Sequence, residues 1–345
     1  MPNAHTSLPI VFMEKDTMKS NWIYILLLLL LFGACQHEPT LDTVRLIECA
    51  PMPQPVAATT VFVYDNEAYV LAGRDKTGAY SNAFWKYAPA QNQWISLPAP
   101  DMQARVSASA CVVGDYVYIG LGYQGPLHQE KGYLRDFWRY SPLTQEWQRL
   151  ADFPLHTTVK NCFFAEEEYI YALYGFYREF TQDVYRYDIA RDEWTKLTTF
   201  TEADTDTELP RAMDIVGTSC QGRHFLGNGF NRKSLTFWAE WKPTEQEFVA
   251  CQPILGAGRN AAACCATEEH IYLAGGRYYG DTLTTGFFHN TLQRYCPQQN
   301  QWEYIGSFPY EAENMVMVTL NEDVYIGMGE TPNGILKENW YRIEK

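Results

Sequence analysis

One short pattern recurs six times along this chain and limits the folds open to it. Each copy is an apolar run that ends in glycine, and the copies are Tyr69–Gly73, Tyr116–Gly122, Tyr169–Gly175, His224–Gly229, His270–Gly276 and Asp323–Gly329. The terminal glycines are 49, 53, 54, 47 and 53 residues apart. A period near 50 residues indicates that one supersecondary unit is repeated along the chain.

An aromatic pair follows each of the first five glycines, and its members are always seven residues apart. The pairs are Tyr87 with Trp94, Tyr140 with Trp147, Tyr187 with Trp194, Trp241 with Phe248, and Tyr295 with Trp302. Turn formers such as Pro89 and Pro142 lie between the two aromatics, which indicates two strands joined by a tight turn. Each unit therefore contains four short strands, as a propeller blade does.

The two ends of the chain together supply one blade. The sixth unit stops at Lys345 after its third strand, and Val44–Pro51 has the pattern of the missing fourth strand. Pairing of this segment with the last unit removes exposed sheet edges. We therefore predict an all-β fold, a six-bladed β-propeller over residues 43–345 whose last blade is closed by the N-terminal strand.

The repeat resembles the kelch motif, in which a glycine pair is followed by a tyrosine and then a tryptophan. Ala274–Gly276 with Tyr295 and Trp302 matches this pattern well, whereas the fourth unit has Trp241 and Phe248 at the two aromatic positions. The resemblance covers roughly residues 43–345 and implies a kelch-type propeller. Galactose oxidase and the bacterial sialic acid mutarotases have the same repeats. No local arrangement of Tyr, His and Cys matches the copper site of galactose oxidase, so we expect no cofactor.

The N-terminal residues have the features of a targeting signal. Ile23–Phe32 is an unbroken apolar run that follows Lys15 and Lys19. Ten helical residues cover only about half of a ~30 Å hydrocarbon core, which favours a signal peptide over a spanning helix. We expect residues 1–34 to be this signal peptide, with translation starting at Met18.

The segment Phe32–Cys35 resembles the lipobox of bacterial lipoproteins, in which the cysteine is acylated. This resemblance implies lipidation of Cys35, a tether over residues 35–42, and a location in the bacterial cell envelope on the periplasmic face or the cell surface. The lipid would be the only contact with the membrane.

The net charge argues against a nucleic-acid-binding protein, and the positions of the cysteines argue against a disulfide-rich fold. The chain has 27 Lys and Arg against 41 Asp and Glu, a formal charge of −14, so it offers no basic surface for nucleic acid. Five cysteines recur in one segment of the repeat, and they are Cys111, Cys162, Cys220, Cys264 and Cys265. Recurrence at one structural position favours packing of small buried side chains over a disulfide framework.

The loops after the second and fourth strands of each blade emerge on one face, which is the natural place for a ligand. Arginines and aromatic residues gather at these loops in the sequence, and the candidates are Arg74, Arg105, Arg211, Arg259, Arg277, Tyr123, Phe176 and Tyr278. Arginine binds carboxylates through a planar fork, so an anionic ligand is expected there. The kelch resemblance also implies the alternative that an arginine before the first strand hydrogen-bonds loop carbonyls as part of the scaffold.

Two functions agree with these features. The first is a non-enzymatic module, expected to be monomeric, that binds an anionic glycan, a peptide or a protein partner through the loop face. The second is suggested by the resemblance to the mutarotases, in which Glu330 and Glu313 would serve as acid and base on an acidic sugar. No metal site is expected, because the acidic loop Glu202–Glu208 lacks the glycine of a compact Ca²⁺ loop and the histidines His128, His156 and His289 belong to different blades.

The lipobox predicts that the mature protein begins at an acylated Cys35. Mass spectrometry of the N-terminal peptide from membrane fractions should show this modification, and Cys35→Ser should abolish both the processing and the membrane association. A Cys35→Ser protein that is processed and localised as before would contradict the assignment.

Overall fold

The computed structural model describes residues 41–125, 129–155, 161–177, 179–200, 210–280 and 286–344. Antiparallel strands account for nearly all the regular structure in these ranges, together with one 3₁₀ turn at Glu130–Gly132. The predicted signal peptide and Cys35 lie outside the described residues. Within the described part of the chain, no helix has the length and apolarity needed to cross a membrane.

The described strands form six four-stranded sheets and two additional hairpins. The first three blades consist of Thr60–Tyr64, Glu67–Arg74, Tyr80–Ala88 and Gln93–Leu97; of Ser109–Val113, Tyr116–Gly120, Phe137–Ser141 and Glu146–Leu150; and of Cys162–Ala165, Tyr169–Tyr177, Glu179–Asp188 and Glu193–Thr199. Blades four and five consist of Val216–Cys220, Arg223–Gly227, Trp238–Lys242 and Glu247–Ala250, and of Ala263–Ala266, Ile271–Ala274, Thr291–Cys296 and Gln301–Ser307. Blade six consists of Val316–Leu320, Asp323–Gly327, Trp340–Ile343 and Leu46–Cys49.

The N-terminal strand closes the last blade, as the sequence predicted. Leu46–Cys49 pairs antiparallel with Trp340–Ile343, so that Leu46 lies opposite Ile343 and Cys49 opposite Trp340. The indole N–H of Trp94 in blade one donates to the carbonyl of Ala50, at 2.9 Å. The six-bladed propeller and its closure by the N-terminal strand are confirmed.

Aromatic rings fill the space between neighbouring blades. The two members of each predicted aromatic pair are cross-strand neighbours, with ring centroids between 4.5 and 5.1 Å apart. The Trp194 and Trp302 indoles donate to carbonyls that follow the fourth strand of the preceding blade, those of Ala151 and Gln252. Where the second member of the pair is Trp94, Trp194 or Trp302, the pair therefore fastens its blade to the neighbouring one, because a large ring and one hydrogen bond act at the same place.

The cysteines are packing residues. All eight cysteines of the described residues are free thiols, and five of them lie on first strands, Cys111, Cys162, Cys220, Cys264 and Cys265. Burial raises the pKa of the Cys162 thiol and of the Cys265 thiol to about 12. These thiols are therefore neutral at physiological pH, which agrees with the packing interpretation.

The glycine that ends each second strand is required by the backbone. Gly122 has φ of +83°, and a Cβ built there would lie 2.4 Å from the carbonyl oxygen of Val106. Gly229 has φ of +88°, and its Cβ would lie 2.6 Å from the carbonyl oxygen of Met213. Any side chain here would collide with backbone atoms, which explains why glycine recurs at this position.

Gly122→Ala should lower the free energy of unfolding by about 3 kcal/mol, because left-handed strain and a backbone collision add together. Gly114→Ala is the matched control in the same blade, since Gly114 also has positive φ but nothing lies within 4 Å of its Cβ position. We expect about 1 kcal/mol for the control, with both values measured by chemical denaturation. Equal losses in the two variants would show that backbone approach at Gly122 is unimportant.

Candidate functional site

A short backbone ladder recurs where each blade meets the channel. In five blades the residue that follows the glycine pairs with a residue just before the first strand, and the pairs are Ala57 with Arg74, Val106 with Tyr123, Met213 with Phe230, Asn260 with Arg277, and Glu313 with Glu330. In each of these pairs, the residue that follows the partner before the first strand has φ between +52° and +54°. This turn directs one residue of every such blade into the mouth of the channel.

These turn residues also link neighbouring blades. The amide of Ser107 donates to the carbonyl of Ala58 at 2.8 Å, and the amide of Asn314 donates to that of Ala261 at the same distance. Because the links use backbone atoms, they do not require a particular amino acid at these positions. They are Ala58, Ser107, Asp214, Ala261 and Asn314.

A cavity of about 560 Å³ opens at this mouth. Its aromatic lining residues are Tyr80, Tyr123, Phe230 and Tyr279, and its polar lining residues are Arg74, Ser107, Asp214, Asn260, Glu313 and Asn314. Two hairpins raise the wall on one side, Phe230–Asn231 with Lys233–Ser234 and Arg277–Tyr279 with Gly286–Phe288. A narrower cavity of about 200 Å³, which shares Ala58 and Asn314 with the first, lies along the channel.

Arg74 lines the cavity as the sequence predicted, and it forms an ion pair with Glu330. The pair joins blade one to blade six. The Arg74 side chain is 42% exposed and that of Glu330 is 17% exposed. A guanidinium carries five N–H donors, more than one carboxylate oxygen can satisfy.

Tyr123 and Tyr279 keep their phenol protons at neutral pH, so each can donate a hydrogen bond. Burial, together with the nearby Tyr80 and Asp214, raises the pKa of Tyr123 to about 12. Burial also raises the pKa of Tyr279, although the neighbouring Arg277 guanidinium opposes this shift. That guanidinium lies over the Tyr279 ring, 4.2 Å from its centroid.

Arg105 belongs to the scaffold. Its side chain is 1% exposed, and its guanidinium donates to both carboxylate oxygens of Asp136, at 2.7 and 2.6 Å, and to the carbonyls of Leu121 and Gln103. Burial by itself would raise the pKa of Asp136, but the hydrogen bonds and the positive charge of Arg105, together with the hydrogen bond from the Trp138 indole, outweigh burial and lower the pKa. A guanidinium enclosed in this way cannot contact a ligand. Arg105 thus has the scaffold role that the kelch resemblance implied as the alternative.

Arg259 has the same position in blade five and is also enclosed. It is 0% exposed and donates to the carbonyl of Gly275 and to the hydroxyl of Thr291, at 3.2 and 3.1 Å. Arg277 is half-buried between Tyr279 and Phe288, with its guanidinium carbon 4.2 and 4.8 Å from the two ring centroids. The expected convergence of these arginines on one anionic group does not occur in the structure.

The alignment of the fourth blade needs a correction of one residue. The ladder pairs Met213 with Phe230, so the position of Arg105 and Arg259 corresponds to Ala212, which is fully buried. Arg211 precedes it and is exposed. Arg105 and Arg259 lie 17 residues before their glycines, and the same count from Gly229 also gives Ala212, so the assignment of Arg211 was wrong by one residue.

The other predicted residues occupy separate places. Phe176 contacts Phe180 and Tyr278 contacts Phe287, and neither lines the mouth cavity. Glu313 does line it, and its backbone pairs with that of Glu330. His289 is fully buried and lies 3.2 Å from the Gly258 carbonyl. Among the described residues, no group of three or more His, Cys, Asp or Glu side chains is arranged to hold a metal ion; Glu202–Glu208, His128 and His156 lie outside them.

Several residues of the cavity had no place in the sequence prediction, among them Tyr80, Asp214, Tyr279 and Asn314. Asp214 and Asn314 could have been found, because each lies 15 residues before its glycine, as Ala58 and Ser107 do. Tyr80 and Tyr279 carry no such signal. They reach the cavity through the lengths of their loops, which only the folded structure defines.

The fold, the ladder and the repeated aromatic pairs define a kelch-repeat β-propeller. Residues 40–216 match the family described as KLHDC2/KLHL20/DRC7 Kelch-repeats domain, and residues 258–309 match the Kelch motif. The chain belongs to the kelch-repeat family.

Curated relatives and one solved structure agree with this assignment. The chain is 23% identical to Kelch-like protein 26 of Danio rerio, over 79% of the chain and 43% of that protein. It is 24% identical to N-acetylneuraminate epimerase of Pasteurella multocida (strain Pm70), over 68% of the chain and 56% of that protein. The chain thus spans about half the length of these relatives. The solved structure of YjhT superimposes with a TM-score of 0.68 at 14% identity, covering 85% of this chain and 96% of the other, and it supports the fold alone.

Arg105→Ala should lower the free energy of unfolding by about 3–5 kcal/mol at neutral pH, because it leaves the Asp136 carboxylate buried without its partner. Arg149→Ala is the control, since Arg149 pairs with Asp152 on the surface and should contribute at most about 1 kcal/mol. Chemical denaturation measures both values. A loss for Arg105→Ala as small as that of the control would argue against a scaffold role.

The same pair predicts a pH dependence. Because the folded pKa of Asp136 is lowered, its stabilising effect is present above the unfolded value of 3.8 and is lost as the pH falls through the folded pKa. In Arg105→Ala the buried Asp136 carboxylate has lost its positive partner, so protonation of Asp136 stabilises the folded protein instead. The difference in unfolding free energy between the two proteins should therefore shrink on acidification from pH 7 to pH 4, and a constant difference would contradict this.

Proposed function

We propose that this chain is a glycan-binding propeller whose ligand occupies the cavity at the channel mouth. The main support for this proposal is the lining of that cavity, which brings four aromatic rings together with one guanidinium and several amide, hydroxyl and carboxylate groups. Its volume of about 560 Å³ is within the ~300–1,000 Å³ common for small-molecule sites. Pyranose rings have apolar faces and hydroxyl edges, so they suit walls of this kind.

Aromatic side chains supply the flat surfaces for such a ligand. Tyr80 and Tyr123 stand edge to face, with centroids 6.3 Å apart, and Phe230 and Tyr279 do so at 5.7 Å. The two pairs come from different sides of the ring, blades one and two against blades four and five. A sugar between them would contact rings on both sides while the tyrosine hydroxyls donate to its oxygens.

The charged residues of the cavity leave one position, beside Arg74, for a negative group of the ligand. Arg74 is the guanidinium that lines the cavity, whereas Asp214 and Glu313 contribute carboxylates. A carboxylate on the sugar would bind Arg74, and sugar hydroxyls would donate to the two acidic side chains. A polyanion would be repelled by them. The similarity to an N-acetylneuraminate epimerase supports this choice, because that relative is named for an acidic sugar.

The same relative supports a second function, exchange of the anomers of an acidic sugar. Such exchange needs one group to take a proton from the anomeric hydroxyl and another to give one to the ring oxygen. Glu313 lines the cavity, and Glu330 is its partner in the backbone ladder. NMR of anomer exchange distinguishes the functions, since a mutarotase would accelerate exchange and Glu313→Gln would remove the acceleration, while a binding module would leave the rate unchanged.

The cellular setting belongs to the same proposal. The lipobox-like Phe32–Cys35 supports a lipid-anchored protein of the bacterial cell envelope, where glycans, peptides and other proteins meet the loop face. Kelch propellers commonly bind proteins, so a glycan carried by a protein partner is included.

Arg74→Gln should weaken the binding of an acidic monosaccharide about tenfold or more, because a charge-assisted contact contributes about 1.5–3 kcal/mol. Isothermal titration calorimetry with N-acetylneuraminate and with neutral N-acetylglucosamine measures the effect, and only the acidic sugar should lose affinity. Arg45→Gln is the matched control, since Arg45 pairs with Glu344 outside the cavity.

Two results would count against this assignment. If Arg74→Gln left the affinity for the acidic sugar unchanged, the carboxylate would bind elsewhere. If neither sugar bound the wild-type protein, and a wider panel of glycans gave no heat, the cavity would not be a glycan site.

A further inference from the structure

Blade four departs from the repeat at one cross-strand pair near the turn between its first and second strands. There Ser219 lies opposite His224. The corresponding pairs of the other blades are Val63 with Ala68, Val112 with Val117, Ala165 with Ile170, Ala266 with Ile271, and Thr319 with Val324. The position of His224 is thus apolar and buried in every other blade. The scaffold does not need a polar residue there.

A third polar side chain completes the group. The Oγ atom of Ser219 is 2.8 Å from Nδ1 of His224, and Nε2 of His224 is 3.0 Å from Oε1 of Glu166 in blade three. The imidazole is held in place by Phe164, with centroids 4.9 Å apart and planes at 29°. His224 is 4% exposed, whereas Ser219 is exposed at the surface.

The contacts define the roles of the ring nitrogens. An ionised carboxylate only accepts hydrogen bonds, so the proton of a neutral imidazole lies on Nε2, toward Glu166. Nδ1 then accepts the hydrogen bond of the Ser219 hydroxyl. A hydroxyl bonded to a base that is itself oriented by a carboxylate is the arrangement of an activated serine nucleophile.

We propose that Ser219, His224 and Glu166 form a nucleophilic site for small acyl esters. The site is at the end of the blade opposite the channel mouth, so it does not depend on the proposed glycan function. Ser219 and His224 would be the catalytic residues. Glu166 would be a positioning residue, which acts through the imidazole.

The reaction balances with water as the only co-reactant. Ser219 Oγ bonds to the acyl carbon of the ester while its proton passes to His224 Nδ1, and the alcohol leaves with that proton. Water then attacks the acyl-serine with His224 again taking and returning a proton, so the acid is released and Ser219 is regenerated.

The repeat itself provides variants that preserve the fold. Ser219→Ala and His224→Ile place in blade four the side chains that blades three and five use at these positions, Ala165 with Ile170 and Ala266 with Ile271. Each change also removes one member of the polar group. Loss of function in these variants would therefore come from chemistry and not from unfolding, which a melting curve verifies.

The test is covalent labelling of the full chain with a fluorophosphonate, followed by peptide mass spectrometry. We expect a phosphonyl adduct on Ser219, none at this position in Ser219→Ala, and a labelling rate at least about 100-fold lower in His224→Ile. Thr319→Ala is the matched control at the same register of blade six and should label at the wild-type rate. Absence of the adduct on Ser219 in the wild-type protein would overturn the proposal.

Turnover of p-nitrophenyl acetate tests the role of Glu166. Glu166→Gln keeps the shape of the side chain but removes its charge, so kcat should fall while KM stays unchanged, and Glu166→Asp should recover part of the loss. A purely structural Glu166 would leave kcat unaltered in a folded variant. Unchanged kcat in both Glu166→Gln and His224→Ile would sink the assignment of an activated serine.

Discussion

The close approach of two backbone segments at the inner end of each blade supports the rest of this structure. The glycine after the second strand lies against the segment that precedes the first strand, and its amide donates to a carbonyl of the next blade, as Gly73 does to Arg105 at 2.8 Å and Gly229 to Arg259 at 2.7 Å. One turn therefore holds its own blade together and joins it to its neighbour. Because each blade shares its buried faces with two others, the ring gains stability as a unit.

Ring closure and the cavity depend on the same contacts. The walls of the mouth cavity come from blades one, two, four, five and six, so no part of the sequence contains the site alone. Leu46–Cys49 closes the last blade at its outer edge, and the pair of Arg74 with Glu330 joins blade one to blade six at the channel. The cavity thus exists only once the two ends of the chain are paired.

The arginines show how the position of a residue in a repeat differs from its role. Counting from the glycines placed Arg105 and Arg259 before the first strands, and they are there. Counting could not show which way a side chain points. Both guanidiniums point into the blade, where Asp136 holds one and backbone and hydroxyl oxygens hold the other. Arg74 directly follows the glycine of blade one, and its side chain lines the cavity.

The sequence by itself determined the number of blades, the four strands of each, the closure by the N-terminal strand and the aromatic pairs between blades. These features can be predicted from spacing, since every repeat carries its glycine and nearly every repeat its aromatic pair at the same intervals along the chain. The tertiary structure decided the site. Arg74, Tyr123 and Glu313 come from three blades, and their meeting depends on loop lengths and ring closure. The contact of His224 with Glu166 likewise joins two blades, and a repeat pattern carries no information about which side chains of neighbouring copies will touch.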